Sequence, residues 1–200
     1  MNTPARPRAR TTAPLPCALL SALASALALT SLPAQARSTV VNQAISEAEV
    51  LGAQQGWCRA LVDIAAAGAT GGQAAAKALA EKVIDAAYGY QLGVVLFKPT
   101  LTTNPQTFRT TRAGALAYFV GGDAAYPKDS GFALKGWNRC EVDNAGIFIA
   151  GDSATSMGKV HLTGPGGKVT TVDKTWSFVK DDAGRLRIVV HHSSLEHVER

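Results

Sequence analysis

From residue 132 to residue 194 the chain is cut by four short turn clusters: Asp143-Asn-Ala-Gly146, Gly151-Asp152, Gly164-Pro-Gly-Gly167 and Asp181-Asp-Ala-Gly184. The runs between them are rich in Val, Ile, Thr and aromatic residues and alternate apolar with polar, the pattern of half-buried strands. Strands are predicted near 132–142, 146–150, 153–162, 168–180 and 185–194. Turns this short join neighbours running in opposite directions, so the C-terminal half reads as an antiparallel meander. A sheet with one apolar face needs a cover, and the cover must come from the N-terminal half.

That half supplies helices. Ser46-Glu-Ala-Glu49 is a capping box, in which the Ser oxygen and the Glu carboxylate satisfy amides of the first turn. Val50, Trp57, Leu61 and Ile64 follow on one stripe, predicting a helix over 46–67 with Gly68 as its stop. Gly71-Gly72 break the chain, and Leu79, Val83, Ala86 and Tyr90 predict a second helix over 73–90. Residues 94–98 read as a short strand running into Pro99, Thr100 and a polar loop with Pro105. Thr111 caps a short third helix over 112–120, ended by Gly121-Gly122. Helices first and a meander afterwards make an α+β domain, and a curved sheet covered by helices on one face forms a cone with a pocket.

The first 36 residues are of a different kind. Arg6, Arg8 and Arg10 stand without an acid, an Ala/Leu-rich run spans 15–29, and Ala34-Gln35-Ala36 is a small-x-small cleavage signal. This predicts a secretory signal peptide over 1–36, cut before Arg37; the apolar run is short for a membrane span of about 20 residues. The mature chain, 37–200, fits a single domain with one core and belongs in the periplasm or outside the cell. Its formal charge falls from +5 to +2, with no Lys/Arg cluster, so neither nucleic acid nor a membrane is an expected partner. Cys17 leaves with the leader. Cys58 and Cys140 stay in a compartment that permits a disulfide, but sequence leaves open whether their side chains meet.

The last predicted strand ends His191-His192-Ser193-Ser194. Alternation sends His191 and Ser193 to one face and His192 and Ser194 to the other, and it places Leu186, Ile188 and Val190 in register with the second pair. Adjacent strand histidines face opposite ways and cannot chelate one ion, and no HExxH is present. Gly164–Gly167 lies between strands with no helix after it, so it is a hairpin turn rather than a phosphate loop. Trp137 and Trp176 read as core. Tyr118 reads as a core aromatic with its hydroxyl at the rim, and Thr100 as a strand-end hydroxyl. No Gly-x-Ser-x-Gly elbow or pair of catalytic carboxylates stands out. The residues alone lead to an α+β cone with hydroxyls and one imidazole near its mouth.

Phe97-Lys-Pro-Thr100, Thr107-Phe-Arg-Thr-Thr111, Gly114-Ala-Leu-Ala-Tyr-Phe-Val-Gly-Gly122, Gly131-Phe-Ala-Leu-Lys135 and His191-His-Ser-Ser-Leu195 resemble the bacterial iota-class carbonic anhydrases. That family shares the NTF2-like fold with SnoaL-like proteins and the association domain of calcium/calmodulin-dependent kinase II. The resemblance runs from about Ala53 to Leu195. It implies reversible hydration of carbon dioxide, a small-molecule substrate, to bicarbonate and a proton. It also implies catalytic roles for Thr100, Tyr118, His191 and Ser193, with His191 as base or proton shuttle on the strength of an ordinary pKa near 6.5. Because strict alternation favours His192 and Ser194, this assignment requires a β-bulge near the strand end. Cofactor use does not follow from the resemblance, since the family includes members described as metal-free and as Mn- or Zn-dependent; the expectation is no cofactor, with Zn or Mn as the alternative. A SnoaL-like isomerase or cyclase needs a carboxylate base in the pocket, and a non-catalytic assembly or small-molecule-binding module needs only the sheet. The second sheet face carries Val169, Val179 and Val189, which predicts a homodimer through it.

Overall fold

A computed structural model describes residues 43–199. The predicted signal peptide and its cleavage site lie outside the described residues. The long helix α1, Glu47–Ala87, starts at the expected capping box: Ser46 Oγ accepts from the Glu49 amide at 3.3 Å, and the Ser46 amide donates to Glu49 Oε2 at 2.8 Å. The first predicted helix does not stop at Gly68. Its glycine serves packing instead, since a Cβ there would lie 2.7 Å from Leu134 Cδ2. The break falls at Gly72 (φ 73°, ψ −175°), a left-handed backbone that glycine adopts without strain. The second limb ends at Ala87, three residues short of prediction, with Tyr88 as its cap.

Strand β1, Leu96–Lys98, and helix α2, Arg112–Val120, follow. Thr111 caps α2 through the Gly114 amide at 3.2 Å, as expected. The meander consists of β2 (Arg139–Ala150), β3 (Ser153–Thr163), β4 (Val169–Lys180) and β5 (Leu186–Leu195). Residues Phe132–Lys135, predicted as strand, form a single 3-10 turn that brings Phe132 and Trp137 into contact at 5.5 Å. Asp143–Gly146 is not a turn but a bulge within one continuous β2, between Asn144 and Gly146. The bulged backbone leans onto Gly158 of β3, where an added Cβ would come within 2.1 Å of the Asp143 carbonyl. Gln54 of α1 holds the bulge by exchanging two amide hydrogen bonds with Asn144, at 2.9 and 2.8 Å.

The strand order is β1-β5-β4-β3-β2. Strands β2 to β5 pair antiparallel as expected, whereas β1 pairs parallel with β5, so the sheet is mixed. The helices cover one face, giving the expected α+β cone. Between sheet and helices lie Trp57, Leu61, Ile84, Phe97, Phe119, Leu162, Trp176 and Phe178, all buried. Cys58 of α1 and Cys140 of β2 form a disulfide that closes a separation of 82 residues and ties helix to sheet.

Candidate active site

Strand β5 carries the irregularity that decides which residues enter the cone. Trp176 of β4 faces His191 and Ser177 faces Val190, but Phe178 faces Ile188, leaving Val189 unpaired. The extra residue inverts the alternation, so Ile188, His191 and Ser193 all point inward and His192 is exposed. The chain leaving α1 occupies the bulge: the Gly89 amide donates to the Ile188 carbonyl at 2.9 Å. Parallel pairing then sets Phe97 beside His191 and Lys98 beside His192. Two residues further on, Thr100 meets Ser193, with Thr100 Oγ1 and Ser193 Oγ 2.6 Å apart. Lys98 Nζ donates to the Ser193 carbonyl at 2.8 Å and fastens the two strand ends.

Tyr118 comes from α2 and is buried, with its ring stacked on Phe132 at 5.3 Å and edge-on to Phe97 at 5.7 Å. Its hydroxyl lies beside the Thr100 side chain and the Thr100 and Leu101 backbone but makes a well-aligned hydrogen bond to none of them. Burial pushes its pKa up, so it stays a neutral donor. Thr100, Tyr118 and Ser193 thus form one hydroxyl cluster at the ends of β1 and β5.

His191 behaves differently from the expected free imidazole. It is 1% exposed, with its ring stacked on Phe97 at 4.4 Å. Nδ1 lies 2.8 Å from the Tyr88 hydroxyl and Nε2 lies 2.9 Å from Lys174 Nζ, so both ring nitrogens are engaged and neither meets Thr100, Tyr118 or Ser193. Burial, then the proximity of Lys174 and His192, holds its pKa well below the ordinary imidazole value. An ordinary pKa near 6.5 therefore does not describe this residue. Tyr88 also accepts from Trp57 Nε1 at 3.0 Å, completing a buried chain from Trp57 through Tyr88 and His191 to Lys174.

Sequence reasoning missed Tyr88 and Lys174. The signal for Lys174 was present: it shares the inward period-two set of Val172, Trp176 and Phe178, where a lysine breaks an apolar pattern. Tyr88 carried no such signal, lying off the stripe of Ala86 and Tyr90. A cleft of about 550 Å³ lies elsewhere, between α1 and β2, lined by Gln54, Cys58, Arg59 and Arg139. Its size does not make it the site, because none of the clustered hydroxyls opens into it.

Among the described residues no three His, Cys, Asp or Glu side chains converge as metal donors. The chain is, by fold and side-chain placement, an α+β cone that sets three hydroxyls beside a buried imidazole–amine chain. Residues 48–195 match the family described as metal-independent carbonic anhydrase. A metal-independent carbonic anhydrase of Nostoc sp. strain PCC 7120 is 63% identical over 159 residues, 80% of this chain and 78% of that protein. An iota-carbonic anhydrase from a cyanobacterium, solved in complex with bicarbonate, has a TM-score of 0.79 at 61% identity over 82% of this chain and 100% of that one. The fold alone is shared with a Xanthomonas campestris structure described as a calcium/calmodulin-dependent protein kinase II association domain: TM-score 0.51, 21% identity, 79% and 93% coverage. The chain belongs to the metal-independent carbonic anhydrases.

Proposed function

We infer that the protein hydrates carbon dioxide to bicarbonate and a proton without a metal, using Thr100, Tyr118 and Ser193, with His191 beside them. The observation that carries this reading is the buried Tyr118 hydroxyl, unpartnered next to the Thr100–Ser193 pair. Buried polar groups are satisfied as a rule, so an orphan donor beside two hydroxyls fits a ligand oxygen.

With no Lewis acid to acidify water, the rate must come from placement and from removal of a proton. In the 2.6 Å pair one hydroxyl donates to the other, which leaves one proton free for a ligand and lone pairs that accept from water. As water adds to carbon, negative charge grows on the carbon dioxide oxygens. Donors already aimed there, Tyr118 foremost, stabilise it without reorganising. The rings of Phe97, Phe119 and Phe132 pack around Tyr118 and make its surroundings apolar, which suits an apolar substrate. The test is stopped-flow hydration of carbon dioxide by chelator-stripped protein, repeated with Zn and with Mn. Activity without metal, lost in Tyr118→Phe, is expected; a stripped protein that is inert until metal returns refutes the metal-free mechanism.

The Arg-rich start and the Ala34-Gln35-Ala36 signal support export, with the mature chain beginning at Arg37 in the periplasm or outside the cell. Intact mass of the exported protein checks it, and retention of Met1 refutes it. Phe148, Met157 and Val169 stand exposed on the uncovered sheet face and support a homodimer through it. A monomer by light scattering at micromolar concentration counts against that assembly.

A further inference from the structure

Lys174 is buried, and its amine touches neither a carboxylate nor the hydroxyl cluster's hydrogen bonds. Proton counting along its chain decides its charge. Trp57 Nε1 can only donate, so it takes a lone pair of the Tyr88 oxygen. The single Tyr88 proton then has one acceptor in reach, His191 Nδ1. The ring's own proton must therefore sit on Nε2, which faces Lys174 Nζ at 2.9 Å. An amine that accepts a hydrogen bond does so through its single lone pair and is therefore uncharged. The opposite tautomer, with Nδ1–H turned to Tyr88, leaves the Tyr88 proton buried with no acceptor, a costly state.

We propose that Lys174 is the proton acceptor of the site, kept as a neutral amine by the Trp57–Tyr88–His191 chain until water adds to carbon dioxide. This role rests on the carbonic anhydrase reading above. Lys174 stands directly across the β4–β5 pair from Ser193, on the same inward face, so the lysine and one member of the hydroxyl cluster are cross-strand neighbours. As the water oxygen bonds to carbon, one O–H bond breaks, the C=O electron pair moves onto oxygen, the hydrogen bond from His191 Nε2–H to Nζ breaks, and the freed lone pair takes the proton to give an ammonium. That cation is tolerated: Nζ lies 4.5 Å from the Trp57 ring centre and 5.4 Å from that of Trp176. Release of the proton to solvent restores the amine. His191 is then a positioning residue, which holds the lone pair of Lys174 in place.

The charged and titratable groups around the amine agree. Trp57 of α1, Trp176 of β4 and His191 of β5 face it, and none brings negative charge. His192 of β5 lies near both Lys98 of β1 and Lys174, and burial, then these two cations, lowers its pKa; Asp173 lies on the outer face, bound to Lys159 at 3.2 Å. Burial lowers the Lys174 pKa to about 7, where an amine can cycle at neutral pH.

Two experiments test the role. In the parent protein, 15N NMR of His191 should show the Nε2–H tautomer above the Lys174 titration and Nδ1–H below it, with the Lys174 Cε shift titrating near neutrality. A His191 that keeps one tautomer from pH 5.5 to 9, with Lys174 an ammonium throughout, overturns the proposal. In stopped-flow hydration, Lys174→Met should lose about 100-fold in kcat/KM and lose the acid limb of the parent's pH profile. An active parent whose folded Lys174→Met variant keeps both rate and limb refutes the role alone. A parent that does not hydrate carbon dioxide refutes the carbonic anhydrase reading, and the role falls with it, whatever the NMR shows. Should Lys174→Met fail to fold, the tautomer of the parent still decides.

Discussion

Ser193→Ala separates chemistry from stability more cleanly than any other substitution in the site. The variant removes one hydroxyl and changes no backbone. In the folded protein it breaks one hydrogen bond, the 2.6 Å contact to Thr100. A neutral pair of this kind contributes about 1 kcal/mol, and the half-buried Thr100 hydroxyl can turn to water. The melting temperature should therefore fall by only about 2–4 °C for a domain of this size. Loss of a donor or acceptor at the reacting oxygens is larger, about 100- to 1,000-fold in kcat, or about 3–4 kcal/mol of transition-state stabilisation. Stopped-flow hydration with a pH indicator, alongside thermal unfolding followed by circular dichroism, reads both effects. Ser194→Ala is the matched control on the opposite face and should change neither. Because Thr100 and Ser193 act as one pair, Thr100→Val combined with Ser193→Ala should cost little more than either alone. A Ser193→Ala enzyme within twofold of the parent, with the small melting shift intact, refutes the hydroxyl cluster as the reacting centre.

Three further predictions concern the scaffold. Replacing both Cys58 and Cys140 by Ala opens a loop of 82 residues; loop-closure entropy puts the loss at about 4 kcal/mol, visible as a melting midpoint lower by about 10 °C. Gly158→Ala drives a Cβ into the Asp143 carbonyl at 2.1 Å and should cost about 1–3 kcal/mol in urea unfolding, whereas Gly146→Ala meets open space and should cost less. Asp181 is held at about 2 by hydrogen bonds from the Arg185 amide, the Arg187 and Arg185 side chains and the Ala183 amide. Its folded pKa lies below the ordinary carboxylate value, so its contribution is complete above about pH 4 and lost as pH falls through about 2; Asp181→Asn should flatten that part of the unfolding midpoint against pH.

Period-two patterning and turn residues carried the meander from β3 onward, the caps of α1 and α2, and the hairpin at Gly164–Gly167, because each depends on neighbours in sequence. What local pattern could not carry was set by contacts across the fold. Asp143–Gly146 has turn composition, yet Gly158 on the next strand leaves room for a bulge, and Gln54 anchors it. Gly68 has the look of a helix stop, but its missing side chain makes room for Leu134. The parallel pairing of β1 with β5 has no local signature at all. In β5, alternation pointed to His192 and Ser194, and the family resemblance to His191 and Ser193. The structure puts the latter pair inside, since Val189 is looped out where the chain after α1 needs the Ile188 carbonyl. The hydroxyl pattern at Thr100 and Tyr118 was visible only through the resemblance, because neither residue departs from what a strand end or a core aromatic would show.

The central place of β5 also bears on how the protein is made. It is the last strand to be synthesised, yet it lies between β1 and β4, 93 residues after Thr100 in the case of Ser193. A nascent chain that has not delivered β5 therefore presents two open strand edges, on β1 and β4, each a template for pairing with another chain. Closure must wait for a long-range, partly parallel docking event, the slow kind of sheet formation. Chains cut short before residue 186 should accordingly be prone to aggregate rather than merely inactive, and a holding chaperone that masks strand edges would act most usefully in the interval before β5 arrives.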